Sequence, residues 1–350
     1  MTRTVTHDPL GLPVIRSHER MTYKRCPKQW YWKWRKGLVP RRKSFGALDL
    51  GTWAHSALEG WYVPGGVREG ELYIHFNTHA DLAIAVAERA GAPDHEIEKA
   101  EELAALGEAM AKSYQQYYGD DDDWEVIGTE IPLEFTFPDH RGRLAAKHLL
   151  KPDMIVQVKS TGGIWLVENK TAASLHGCTE HLVIDDQARP YGAMAERALK
   201  EAGVLGRRES LEGIIYNFMR KAFPDERWRN EKGESLNKDG SVSKKQPAPL
   251  FLRHPVRMTT EAKRITLQRL RAETLKITAE AQEIRAGKID PLDIPKTPHK
   301  SCPKFCDYFA MCHTEESGGD IRRMQQSMYT VENPYTYAAS TDDPKGFDIG

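Results

Sequence analysis

Apolar and polar positions change period several times along the chain, and each change marks an element. Residues 17–36, SHERMTYKRCPKQWYWKWRK, have helical spacing, with Ser17 as the expected N-cap and Pro27 as a break or restart. The helical period returns from Gly46 to Trp61 and over 79–118, where Gly-Ala-Pro at 91–93 divides it in two. Strand-like runs then dominate at 125–137, 154–159, 164–170 and 211–219, with a helix from about Asp186 to Ala202 before the last. Residues 229–249 are polar, punctuated by Gly and Pro and without period, which predicts a mobile loop. Thr260 to Ala286 reads as a long amphipathic helix behind a Thr cap, and the tail from Ser317 is polar and expected to be loose. With no internal repeat, this order predicts an α/β fold with one main sheet, helical additions before it, and a helix with a cysteine cluster after it.

Composition changes this picture little. With 40% hydrophobic and 29% charged residues in 350, the chain has enough apolar material for a substantial core and is neither fibrous nor disordered as a whole. No stretch approaches the roughly 20 apolar residues of a transmembrane helix. The N-terminus lacks the apolar core of a secretory signal, so a reducing cytoplasm is the expected compartment and thiols are expected as ligands or core filler. Charge matters through its distribution. The formal total is zero, yet ten Lys or Arg and no acid lie between Arg20 and Lys43, while 120–123 is a run of aspartates.

The run MIVQVKSTGGIWLVENKTA at 154–172 raises a chemical question, because an apolar segment fit for a sheet interior ends in Glu168 and Lys170. If Lys159 and Ile164 flank the turn, the two halves form an antiparallel hairpin with Asp153 opposite Lys170. Glu168 then shares the face of Lys170, because strand side chains alternate with period two. Two carboxylates and an ammonium at one strand end suit a hard divalent cation and phosphodiester hydrolysis, Asp153 and Glu168 as ligands and Lys170 stabilising the transition state or holding the attacking water. The competing reading of an isolated Glu-x-Lys is a solvated pair worth ~0–1 kcal/mol.

KPD at 151–153 followed by ENK at 168–170 resembles the PD-(D/E)xK nuclease superfamily. The likeness is to its RecB-like branch, which includes the AddB nuclease domain, CRISPR-associated adaptation nucleases and phage recombination exonucleases. It runs from Tyr23 to Cys312 and implies a restriction-endonuclease-like core, a central mixed β-sheet flanked by helices. It implies Asp153 and Glu168 as ligands of Mg²⁺ or Mn²⁺, with Lys170 catalytic. GTWAH at 51–55 resembles the branch's GxxxH element, which would add His55 to the metal shell; His55 and Glu59 share a helix face, and imidazole favours Mn²⁺. QARPY at 187–191 resembles the QxxxY element and implies Gln187 and Tyr191 at the active site, with Pro190 tolerated in the first helical turn. Glu130 resembles a further acid beside such sites. The expected division is a basic, aromatic segment with Cys26 at 1–45, a nuclease core at 46–228 with a helical insertion at 60–120, the loop at 229–249, a helix and cysteine cluster at 250–316, and the tail at 317–350.

Cys302, Cys306 and Cys312 are too closely spaced for core filling and ask for a soft metal, zinc or iron–sulfur, with Cys26, Cys178 or His313 as candidates for a fourth ligand. The resemblance implies a [4Fe–4S] cluster on Cys26, Cys302, Cys306 and Cys312 that pins the ends of the chain. The first gap is one residue longer than the commonest family spacing, which keeps structural Zn²⁺ as the alternative. Cys178 is expected to be a plain thiol.

The basic segment is threaded with Trp30, Tyr31, Trp32 and Trp34, a composition suited to phosphates and stacked bases. Trp30 and Trp34 are expected to pack inward, and Arg41, Arg42 and Lys43 to reach DNA, with Arg220, Lys221, Lys244 and Lys245 extending the track. The combined expectation is a metal-dependent DNA exonuclease of recombination, repair or phage DNA processing, acting on single strands or duplex ends, with a strand-annealing protein as a further partner. The alternative is a non-catalytic or zinc-stabilised DNA-binding protein that retains the fold.

Overall fold

The computed structural model describes residues 11–41, 44–64, 68, 70–119 and 123–335. The N-terminal part comprises β1 (Val14–Arg16), α1 (Ser17–Arg25), α2 (Pro27–Trp30), a π-helical turn at Tyr31–Arg35 and β2 (Leu38–Pro40). The break falls at Cys26, as Pro27 requires, but Ser17 does not cap: Arg16 is the N-cap, and the Ser17 hydroxyl lies 3.1 Å from His148 Nε2. Three helices follow, α3 (Ala47–Trp61), α4 (Leu72–Arg89) and α5 (Asp94–Tyr118), the last two parted by the predicted breaker.

The strand region is more divided than its pattern predicts. The single run expected over 125–137 is two strands, β3 (Trp124–Thr129) and β4 (Leu133–Pro138), which belong to different sheets. Between them Glu130 takes a positive φ of 49°, and Pro132 holds the preceding residue extended, so the chain turns out of one sheet into the next. Next come β5 (Leu144–Leu150), β6 (Met154–Val158), β7 (Ile164–Ala172), α6 (Ala188–Glu201), β8 (Leu211–Arg220) and β9 (Phe251–Arg257). The run LAAKHLL of β5 has helix-forming composition and escaped the pattern analysis; pairing with β4 and β1 overrides its propensity. The main sheet has the order β3-β6-β7-β8-β9, antiparallel except for the parallel pair β7 and β8, which α6 connects.

The chain closes with α7 (Thr260–Arg285), α8 (Cys302–Phe305), α9 (Phe309–Glu316), α10 (Ile321–Met328) and β10 (Tyr329–Val331). Thr259 caps α7, its side chain accepting from Ala262 N. The first part of the tail expected to be loose is folded: β10 pairs with β2, and Tyr335 is buried.

Three apolar cores result. One lies between α3, α4, α5 and the face of the main sheet that carries Val156, Trp165 and Val167. A second packs α6, α7 and β4 on the opposite face, under Ile155, Leu166 and Ile214. The third joins α1, α2 and the π turn to α7, α9 and β10. It contains Trp30, Tyr31, Trp32 and Trp34, all buried, so the aromatic set predicted to be shared between core and DNA lies wholly inside. Three of their basic neighbours turn inward as well, while Lys24, Arg25, Lys33 and Lys36 stay exposed. Lys28 pairs with Glu315, Arg35 with Glu19, and Arg20 with Asp186 and Glu273. The acids for these pairs come from outside the segment or from its first residues, where composition alone does not reveal them. Among the described residues, no helix is long and apolar enough to cross a membrane.

Candidate active site

The hairpin of β6 and β7 forms with a register two residues from the expected one. Met154 pairs with Val167 and Gln157 with Ile164, so the ladder carried one residue further sets Asp153 opposite Glu168 rather than Lys170. The cause is the turn. Val158 N donates to Gly163 O at 2.9 Å, Gly162 takes the left-handed conformation at φ 71°, and Lys159 N leaves the hairpin for Asp123 O. A shift of two preserves parity, so Asp153, Glu168 and Lys170 still gather on one face.

On that face, which continues the one bearing Leu166, Lys170 Nζ lies 2.6 Å from Glu168 Oε1 and 2.9 Å from Gln187 Oε1. Gln187 is set by the entry to α6, where Asp185 Oδ1 accepts from the backbone N–H of both Gln187 and Ala188 at 2.7 Å. Gly192 lets that helix settle on the sheet: a Cβ there would lie 2.7 Å from Met258 Sδ. Asp153 Oδ2 accepts from Asn169 N at 2.7 Å and lies 3.4 Å from His55 Nδ1. His55 reaches it because α3 lies close on β7; a Cβ at Gly51 would stand only 3.2 Å from Thr171 Oγ1.

Glu168 is 2% exposed. Burial and then the charge of Asp153 hold its carboxyl above the usual range, with Lys170 and His55 opposing. For His55 burial works to lower the pKa, but the hydrogen bond and charge of Asp153 and the charge of Glu168 leave it raised. Tyr191 is buried and pushed up, first by burial and then by the charge of Glu168, and it hydrogen-bonds Ser17. Glu130 pairs with Lys151 at 2.5 Å, its backbone N–H bonded to Asp153 O; burial, then the charges of Asp153 and Glu59, raise its carboxyl against Lys151.

These groups line a cleft of about 660 Å³ whose walls include His55, Glu59, Glu130, Asp153, Lys170, Gln187, Tyr191 and Lys221. Lys221 also donates to Ala47 O, at the start of the helix that carries His55. Of the other residues expected on DNA, Arg41 is exposed, Arg220 is half-buried at the end of β8, and Arg42 and Lys43 lie outside the described residues. The pattern analysis missed Asn169, whose side chain points to the opposite face. There its Oδ1 accepts from Asn217 Nδ2 at 2.8 Å, and Asn217 Nδ2 in turn donates to Tyr114 OH at 2.9 Å. The signal was available: a buried amide between two charged residues has to be satisfied from behind.

A family model for the PD-(D/E)XK nuclease superfamily matches residues 19–313. The chain belongs to that superfamily. No curated protein matches it. Membership makes this chain a nuclease of the hydrolase class, with DNA as the substrate its family implies and Mg²⁺ or Mn²⁺ as the usual metal; the mixed sheet between helical layers is the restriction-endonuclease-like fold.

Among the described residues of the nuclease, no group of three or more His, Cys, Asp or Glu side chains is drawn together as a finished metal site. The donor chemistry nonetheless fits a hard cation: Asp153 lines the cleft, the buried Glu168 shares its face of the hairpin, and the charge of Asp153 disfavours the ionisation of Glu168. At the far end of the nuclease, Cys26 sits in the break between α1 and α2, and Cys302, Cys306 and Cys312 lie in and around α8 and α9; all four are half-buried. Burial raises the Cys306 and Cys312 thiols, and the charges of Cys26 and Cys302 add to the first, those of Cys306 and Cys26 to the second. Cys306 thus feels Cys26 and Cys302, and Cys312 feels Cys26 and Cys306. Cys178 packs against the second core, while Cys306 and Cys312 pack on the third.

Proposed function

We propose that this chain is a metal-dependent DNA exonuclease of the RecB-like branch. The observation that carries the reading is the meeting of Asp153, Glu168 and Lys170 on one face of the β6–β7 hairpin, with Gln187 on the lysine and His55 on the aspartate. Asp153 and Glu168, with His55, would hold Mg²⁺ or Mn²⁺. When bound, the cation supplies charge for the phosphodiester transition state and a more acidic water. The chain's own residues do the rest. Lys170, fixed between Glu168 and Gln187, presents an ammonium to the cleft, where it stabilises developing negative charge on phosphate oxygens. Gln187 keeps that ammonium from folding fully onto Glu168. Lys221 and Lys151 at the walls attract the phosphate backbone.

Exonuclease action, and a place in recombination, repair or phage DNA processing beside a strand-annealing protein, rest on the GxxxH and QxxxY resemblance. The two elements bring His55 and Gln187 to opposite sides of the hairpin, which supports that branch. We also propose that Cys26, Cys302, Cys306 and Cys312 hold a [4Fe–4S] cluster that ties α1 to α9, with zinc as the alternative; the reading rests on the family resemblance and on the position of Cys26 in the break between α1 and α2 and of the other three in and around α8 and α9. Anaerobically purified protein should be brown with visible absorption, whereas a colourless protein carrying zinc selects the alternative. End-labelled single and double strands incubated with Mn²⁺ or with EDTA test the activity. Release of label in short products only with the metal, abolished by Glu168→Ala, is expected. Internal cuts with intact ends would replace the exonuclease reading by an endonuclease, cleavage that persists in EDTA would reject the metal, and absent cleavage would leave the non-catalytic alternative.

A further inference from the structure

The chain has eight tryptophans. Seven, at positions 30, 32, 34, 53, 61, 124 and 165, are no more than 5% exposed; the eighth, Trp228, is 85% exposed. It stands on the segment between β8 and β9, which leaves the cleft wall at Lys221 and also exposes Phe223 at 60%. This segment has no helix or named strand, yet it is tightly cross-linked. Arg227 is bound to both carboxylate oxygens of Asp225 and donates to Ser243 Oγ and Lys245 O. The Ser235 hydroxyl donates to Asp225, and Gln246 Oε1 accepts from Ser235 N while its amide donates to Ser235 O and Ser243 O. Ser235 and Ser243 are buried by these contacts. Trp228 O accepts from Leu236 N at 2.7 Å, which fixes the backbone that carries the indole. A framework of polar bonds, several of them half-buried, thus holds a large apolar ring in water, and folding alone does not call for that arrangement.

The charge around the ring is sorted. Asp225 and Glu234 accept hydrogen bonds inside the segment, and on its outside the exposed Arg229, Lys232, Lys238, Lys244 and Lys245 outnumber the exposed Glu226, Glu231 and Asp239. An exposed aromatic ring on a fixed backbone with bases outward is the combination that stacks a nucleobase and neutralises its phosphates. Trp228 is seven positions on from Lys221, so its backbone stands within about 25 Å of that residue at the cleft wall even along a fully extended chain.

We propose that this segment is a single-strand platform, on which Trp228 stacks a base of unpaired DNA running to the cleft. The proposal rests on the reading of the cleft as a nuclease site and names its substrate: a strand whose bases are free, since duplex bases already stack on one another.

The burial of the other seven indoles makes the test direct. With Ca²⁺ present so that binding is read without turnover, oligo-dT should shield the fluorescence of the whole protein from acrylamide, and Trp228→Phe should abolish most of that change. Trp228→Ala should melt like the wild type but bind oligo-dT roughly ten-fold more weakly, as expected for losing one stacked base. Trp228→Phe should keep most of the affinity, and a duplex of equal length should bind wild type and both variants alike. The platform is overturned if Trp228→Ala binds oligo-dT as tightly as the wild type, if acrylamide quenching is unchanged by bound oligo-dT, or if single strand and duplex lose affinity equally. It is also overturned if the alanine variant alters only self-association of the chain, which would make the face a protein contact. A wild type that cleaves DNA while the platform fails loses this inference alone; one that neither binds nor cleaves any DNA loses the nuclease reading with it.

Discussion

Two regions of this protein mix charge with apolar residues, and they resolve in opposite ways. At the end of β7, Glu168 and Lys170 look misplaced in a sheet interior, yet the buried Glu168 holds Lys170, which joins Asp153 and Gln187 on the wall of a cleft. In the stretch 20–36, lysines and arginines between tryptophans look like a nucleic-acid surface, and the aromatics with several of the bases are interior. A strand offers only two faces, so parity alone decides which charges gather. A helix or π turn offers a full circle, and which arc is covered depends on elements hundreds of residues away, such as α9 and Tyr335. Charges in a strand can thus be assigned from sequence, whereas those on the first helices need the structure.

The sharpest break of the comparison is Lys170→Ala. If this ammonium acts on the reaction, cleavage of labelled DNA in Mn²⁺ should fall about 10²- to 10³-fold, the usual cost of removing one preorganised donor. Some thermal stability should be lost with it, because Glu168 is 2% exposed and loses the ammonium 2.6 Å away, so cleavage is compared per folded molecule. A variant that cleaves normally would return the strand end to an ordinary solvated pair.

The opposite result is expected for Glu19, the acid at the centre of the N-terminal core. Its carboxylate is buried and accepts from Arg35, from Trp30 Nε1 at 3.0 Å and from Tyr335 OH at 2.7 Å. Glu19→Ala leaves a nearly buried guanidinium without its counter-charge, which costs about 3–5 kcal/mol. The melting temperature should drop steeply, while whatever fraction remains folded retains its turnover per molecule. Loss of turnover without loss of stability would tie this core to the chemistry.

These two sites also show what was legible in the sequence. The α/β order, the convergence of Asp153 with Glu168 and Lys170, and the entry of Gln187 at the first turn of α6 follow from period, parity and capping. The register of the hairpin did not, because the choice between turns depended on Asp123 drawing Lys159 out of the ladder. Strand β5 was hidden by its helix-like composition, and the break at Glu130 by a positive φ that a glutamate rarely adopts. The inward course of the basic aromatic segment was invisible for a different reason: its counter-charges Glu273, Glu315 and Asp186 are distant in sequence.

A third test concerns a buried ionisable group that belongs to neither site's chemistry. His148 on β5 is fully enclosed, its Nε2 3.1 Å from Ser17 Oγ, and burial followed by the charge of Arg20 lowers its pKa to about 3. A histidine depressed in the folded state is neutral there and takes up protons more readily once unfolded, near pH 6.5. Its contribution to stability is therefore complete above pH 6.5 and is lost as pH falls from there toward 3. Relative to His148→Gln, the wild type should lose on the order of 3 kcal/mol more between pH 7 and 3.5, read by denaturant titration. Parallel curves for the two proteins would mean that the unfolded chain holds His148 in a similar state.

The smallest effect separates inside from outside within the basic segment itself. Arg41, a few residues beyond Arg35, is exposed, and among the described residues its guanidinium donates to Gln326 O at 3.3 Å. Arg41→Ala should leave stability within about 0.5 kcal/mol of the wild type, as most surface changes do. If Arg41 touches a phosphate, DNA affinity should weaken for all sequences alike, and the slope of log affinity against log salt should shrink by about one. An unchanged slope would confine the phosphate contacts to the cleft wall and to the segment after β8. Of the bases of the N-terminal region, Arg20, Lys28 and Arg35 would then still serve the core, and the contrast with the β7 strand end would sharpen.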